Sequence, residues 1–200
     1  MSEMYRGFIR ELSRKERSAR AGLRMTLRES ADVYLSKQAK YPPQATRHLI
    51  RYIEEGKDWQ NFCRYWVAGL YAQRYTGPES DDFAALAADD DWPETSFAKA
   101  AGEVTKDKRR DSEDSDKISS LEKRFLYLLD CEREELGYVL RQWSRLLKEK
   151  KIDWASLLKD LEHWNEATKD RWSRQYYRAL NYRNLDEQSQ DDENQEGEEL

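Results

Sequence analysis

The 200 residues include only two cysteines and two histidines, with four prolines and eight glycines, and each scarcity removes a class of protein. Cys63 and Cys131 lie far apart, each inside an apolar helical pattern and with no secretory signal ahead of them. Two buried thiols in a reducing compartment are therefore expected, not a disulfide framework. His48 and His163 have no third histidine to complete a zinc set or a nucleophile relay. Asp160 and His163 have the i, i+3 spacing of di-iron carboxylate bundles, but such a site needs two such pairs and the chain has one. Gly69 and Gly137 stand singly within helical patterns, so no glycine-rich loop is present to cradle a phosphate. The acidic run Asp89 to Asp91 lacks the spaced carboxylates and interior glycine of a calcium loop. No window approaches the roughly 18 apolar residues of a membrane span. These absences predict a cytoplasmic protein that is not an enzyme, holds no metal or cofactor and does not enter a membrane.

What is present is charge and amphipathic periodicity. Charged and hydrophobic residues each make up 38% of the chain, the balance of an all-α protein with solvated helix exteriors. The organising stretch runs from Lys150 to Arg183 and reads as one long helix. Asp153 stands at its N-cap position, and Trp154, Leu157, Leu158, Leu161, Trp164, Thr168, Trp172 and Tyr176 form one stripe. Three tryptophans on one stripe require helices to cover them.

The preceding segments supply those helices. Residues 4–29 read as one helix or two joined near Ser13 to Arg17, with Tyr5, Phe8, Ile9, Leu12 and Leu23 on the apolar face. Pro42 and Pro43 open another helix, which stops at Gly56. Asp58 is expected to cap a strongly apolar segment that contains Trp59, Phe62, Cys63, Trp66, Val67, Leu70 and Tyr71 and ends at Gly77 and Pro78. Residues 79–92 read as a short helix in an acidic loop, and Thr95 to Val104 as a modest helix. Residues 106–117 read as a flexible, mixed-charge loop. Two strong helices follow, one with Leu121, Phe125, Leu128 and Leu129, the other with Leu136, Val139, Leu140, Trp143, Leu146 and Leu147. Their short connection makes them antiparallel neighbours. The expected organisation is a helical bundle over residues 1–184, with sub-lobes at about 1–105 and 118–184, and a disordered acidic tail over 185–200.

The net charge of −5 conceals an asymmetry. Eight carboxylates and no Lys or Arg lie between Asp186 and Leu200, so residues 1–185 carry about +3. Arg6, Arg10, Arg14, Arg17, Arg20, Arg24 and Arg28 follow steps of three and four. Such a stripe is either a solvated exterior or a phosphate-binding face, and on the residues alone the first is the ordinary outcome. Lys123, Arg124, Arg133, Arg141 and Arg145, with Lys169, Arg171 and Arg174 further on, could join it as a groove that tracks phosphates without reading bases. The tail's carboxylates would compete with nucleic acid for that face.

The ordered segments EKRFLYLL (Glu122 to Leu129), REELGYVLRQWSRLL (Arg133 to Leu147) and IDWASLLKDLEHWN (Ile152 to Asn165) resemble the CasB family, the small subunit of the type I-E CRISPR Cascade complex. ARAGLRM (Ala19 to Met25) and AGLYA (Ala68 to Ala72) extend the resemblance over about residues 10–180. The longer loop from Lys106 to Lys117 and the tail after Asn184 depart from it, as do Asn165 and Glu166 where the family has a basic cluster.

The resemblance implies an all-helical, non-catalytic protein. Two copies would lie head to tail along an RNA-guided antiviral complex, bridging its backbone and large subunits. The crRNA pairs with one DNA strand, and a basic surface on the small subunits holds the displaced single-stranded DNA and so stabilises the R-loop. Matching positions give Arg20, Arg24, Arg124, Arg133 and Arg141 as nucleic-acid-binding residues; Lys123 and Arg145 are added on charge and helical spacing. Trp154 and Trp164 are assigned to the core. Without the resemblance, a helical structural or protein-interaction module with no nucleic-acid role would fit the same composition.

Overall fold

Helix-forming segments bounded by polar caps dictate the architecture. The computed structural model describes residues 3–27, 41–75, 95–110 and 119–181, which form nine α-helices and two short 3-10 turns with no strand among them. The helices are α1 (Glu3–Ser13), α2 (Arg17–Arg24), α3 (Pro43–Leu49), α4 (Asp58–Arg74), α5 (Phe97–Arg110), α6 (Ser120–Asp130), α7 (Arg133–Leu146), α8 (Trp154–Glu162) and α9 (Glu166–Asn181). The 3-10 turns are Met25–Leu27 and Ile50–Tyr52. The expected segment over 79–92, the end at Gly77 and Pro78, Arg28 and the acidic tail lie outside the described residues.

Helix α4 is the centre of the described residues. Every residue from Asn61 to Ala72 is buried, and the helix packs against α1, α2, α7 and α8. The two halves of the chain therefore share one continuous core, in which Phe8, Leu23, Trp66 and Tyr71 join Trp143, Trp154, Leu161 and Tyr176. Close approach to α7 depends on Gly137, where a Cβ would lie 2.8 Å from the Trp66 ring. The Trp66 indole donates to the Gly137 carbonyl at 3.0 Å. Gly102 does the same for α5 and α9: a Cβ there would run into the Tyr176 carbonyl.

Four expected boundaries move. Helix α3 ends at Leu49 and the 3-10 turn after it at Tyr52, short of Gly56. Helix α5 runs through Arg110, so residues 106–110 are helical, not loop. Asp58 begins α4 and does not cap it; Lys57 occupies the cap position with no side-chain bond.

The expected long C-terminal helix is two. Asp153 caps α8 as expected, its carboxylate accepting from the Ser156 amide at 2.9 Å. The helix then ends at Glu162, with His163 as its C-cap, and Asn165 restarts the chain as α9 by accepting from the Thr168 amide at 3.0 Å. His163 is accordingly an exposed terminal residue, its Nδ1 2.9 Å from the Lys159 carbonyl. Trp164 and Thr168 stay buried on either side of the break, at 4% relative exposure each. Replacing Asn165 by Ala should remove the cap of α9 and lower stability by about 1 kcal/mol, read from a denaturant titration with an unchanged m-value.

Both cysteines are free and buried. Burial pushes the Cys63 thiol well up and the Cys131 thiol to about 11, so neither is poised for thiolate chemistry.

Candidate nucleic-acid interface

The proposed basic residues separate into those whose guanidinium is used inside the fold and those that face water. Arg20 is 6% exposed and donates from Nη1 to the Tyr75 carbonyl at 3.3 Å, tying α2 to the end of α4. Arg133 is exposed at the start of α7. Its guanidinium nonetheless lies 4.8 Å from the Trp59 ring and donates to the Trp164 carbonyl at 3.4 Å. Arg141 is half-buried and donates from Nη1 to the Leu27 carbonyl at 2.9 Å.

Arg24, Lys123, Arg124 and Arg145 are exposed and make no ion pair with any described residue. Some other cations are paired, Lys150 with Glu103 and Asp107, Arg171 with Asp160, Arg174 with Asp170 and Lys169 with Glu166, whereas Arg6, Arg14, Arg17, Lys99 and Arg178 are likewise exposed without an ion pair to a described residue.

Local folding explains the placement. On α6 the buried face is Phe125, Leu128 and Leu129, which turns Lys123, Arg124 and Tyr127 to solvent. Ser119 caps that helix, accepting from the Glu122 amide at 3.1 Å. On α7 the buried residues are Leu136, Gly137, Val139, Leu140 and Trp143. Glu134, Tyr138, Arg141 and Arg145, at steps of four, three and four, form the outer stripe. Only Cys131 and Glu132 separate the two helices, and Phe125 packs edge-on against Trp143 with centroids 5.9 Å apart. The Arg141 bond to Leu27 brings the end of α2, and so the segment that bears Arg24, against α7. The segment after α2 thus meets α7.

Two features had no signature among the motifs. Arg64, within the apolar RYW of α4, is buried and donates from Nε to Glu162 at 2.7 Å and from Nη1 to Glu54 at 2.7 Å and to the Tyr52 carbonyl. The Tyr5 hydroxyl donates to the same Glu162 at 3.0 Å. Burial works against the charge on Arg64, but the bonds from Glu54 and Glu162 outweigh it and raise its pKa. This is a structural pair between α4 and α8. The second feature is the pair of exposed phenols Tyr127 and Tyr138; their positions outside both apolar stripes were the available signal.

Asp160 accepts from the Trp172 indole at 2.7 Å and from Arg171 at 2.6 Å. Burial raises its pKa against those two donors. Its carboxylate thus holds α8 to α9. Among the described residues no group of three or more His, Cys, Asp and Glu is placed to hold a metal ion, and no helix is long and apolar enough to cross a membrane.

Fold and surface together define an all-helical protein whose α6 and α7 carry exposed cations with no ion pair among the described residues. The profile of one family, CRISPR-associated protein Cse2, matches residues 19–177, and the chain belongs to that family. It is 32% identical over 148 residues to CRISPR-associated protein Cse2 of Thermus thermophilus, covering 70% of this chain and 73% of the relative. The crystal structure of a Cse2-family CRISPR-associated protein from Thermus thermophilus superposes with a TM-score of 0.64 at 25% identity, covering 88% of this chain and 96% of that one. The crystal structure of M. ruber CasB gives 0.67 at 26% identity, covering 92% and 98%. The chain is accordingly a subunit of a CRISPR Cascade complex, and the family is a structural component of that complex.

Proposed function

We propose that this subunit holds the displaced single-stranded DNA of an R-loop on the basic face of α2, α6 and α7. It performs no catalysis there. It bridges the backbone and large subunits of a type I-E complex, beside a second copy of itself. The observation that supports this reading is that Arg24, Lys123, Arg124 and Arg145 are exposed and free of carboxylate partners among the described residues. Cations held that way bind a polyanion by releasing its condensed counterions. R-loop formation exchanges one duplex for another of similar stability, so contacts to the displaced strand's backbone can tip it without any base readout. Arg141 supports the face by anchoring the α2 end, and Arg20 and Arg133 hold the helices behind it.

The test is a salt titration of the full chain with a 20-nucleotide oligothymidine strand. Replacing Arg24, Lys123, Arg124 and Arg145 together by Ala should leave helicity intact and weaken binding. It should also flatten the plot of log affinity against log salt by about 0.7 for each phosphate no longer neutralised, so by about 3. Unchanged affinity and slope would favour a purely structural module.

A further inference from the structure

Tyr127 and Tyr138 are 50% and 67% exposed, and they are the only exposed aromatic side chains among the described residues. Every other described Tyr, Trp and Phe is buried or half-buried. The core does not need either ring, since α6 and α7 bury Phe125, Leu128, Leu129, Leu136, Val139, Leu140 and Trp143 on their opposite faces.

Tyr127 reaches the turn of α7 that precedes Tyr138. The Tyr127 hydroxyl donates to Glu135 at 2.8 Å, which pins it against the first turn of α7. That bond is the main cause of an upward shift at Tyr127, and Tyr138 adds to it. Lys123 and Arg124 precede Tyr127 on α6 by one turn, and Arg141 and Arg145 follow Tyr138 on α7 by one and two turns. Glu134 and Glu135, in the first turn of α7, lie at the same end of the helix as the Tyr127 hydroxyl.

Phosphate tracking alone gives no reason to hold two rings in water on helices that also expose Lys123, Arg124 and Arg145. We infer that Tyr138, with Tyr127 beside it, is a stacking platform for bases of the bound single strand. This rests on the reading of the same face given above. Stacking on an aromatic ring is tolerant of sequence, because every base has a π-face, and so it suits a strand that is held but not read.

Binding of the full chain to a 20-nucleotide oligothymidine, and to a strand of equal length built of abasic sites, separates the two contributions. The doubly substituted Tyr127→Ala, Tyr138→Ala chain should bind oligothymidine about tenfold more weakly, with an unchanged salt slope and unchanged affinity for the abasic strand. Tyr138→Phe should bind as the unsubstituted chain does, and all variants should melt within a degree or two of it. Oligothymidine binding unaffected by the double substitution would overturn the platform and leave the phosphate reading standing. Equal weakening toward both strands would overturn it as well. If the unsubstituted chain bound neither strand, the basic face itself would be misassigned, and the platform with it.

Discussion

Replacing Glu162 by Ala should cost about 3 to 5 kcal/mol of stability, because it leaves a buried guanidinium without its inner partner. Arg64 and Glu162 expose 6% and 4% of their side chains, and the 2.7 Å bond between them joins the central helix to α8. Glu54 also pairs with Arg64, but its side chain is 54% exposed and water screens it. Tyr5 would lose its acceptor at the same time. Glu162→Gln should cost less, since it keeps an acceptor for one of the two donors. A chain with Arg64→Met and Glu162→Leu together should recover much of the loss, because well-packed apolar side chains often replace a buried ion pair without penalty. Thermal and denaturant melting of the three variants distinguishes these cases. A Glu162→Ala chain that melted within a degree of the parent would show that the pair contributes nothing.

Trp154→Ala should be comparably severe, at roughly 3 to 5 kcal/mol for a buried aromatic, and should lower the melting temperature by about 10 °C in a domain of this size. Trp154 is 2% exposed. Its indole donates to the Tyr75 hydroxyl at 3.1 Å, and its ring meets Tyr71 edge-on at 5.8 Å. Both partners lie at the C-terminal end of α4, beside the carbonyl that Arg20 reaches. Truncation would therefore open a cavity at the junction of the two halves. The residue acts through packing, so oligothymidine binding at a temperature where the variant is folded should be unchanged. Near-normal melting with abolished binding would contradict the core assignment.

The stripe from Trp154 to Tyr176 was legible because helix periodicity reports which side chains face inward, and all eight of its residues are buried. The break inside it was not. Leu161, Trp164 and Thr168 keep their steps of three and four across the turn, so the apolar phase passes through unchanged. No Gly or Pro marks the place, and the only local signal was Asn165 followed three residues later by Thr168.

Charge was legible as composition but not as exposure. Arg20, Arg133 and Arg141 look like Arg24, Arg124 and Arg145 in the sequence. What separates them is a carbonyl distant along the chain, at Tyr75, Trp164 and Leu27 respectively. The Arg64 and Glu162 pair is hidden for the same reason, its members standing 98 residues apart.

Everything proposed for the basic face turns on whether the displaced strand lies across α2, α6 and α7. That is measured by assembling the complete guide-RNA complex on target DNA with photoactivatable bases along the displaced strand, then mapping the cross-linked peptides of this subunit. Adducts are expected on the peptides that contain Arg24, Lys123 to Tyr127 and Tyr138 to Arg145, and should disappear when Arg24, Lys123, Arg124 and Arg145 are replaced by Ala. Cross-links confined to other subunits, or to a different face of this one, would overturn the placement of the strand.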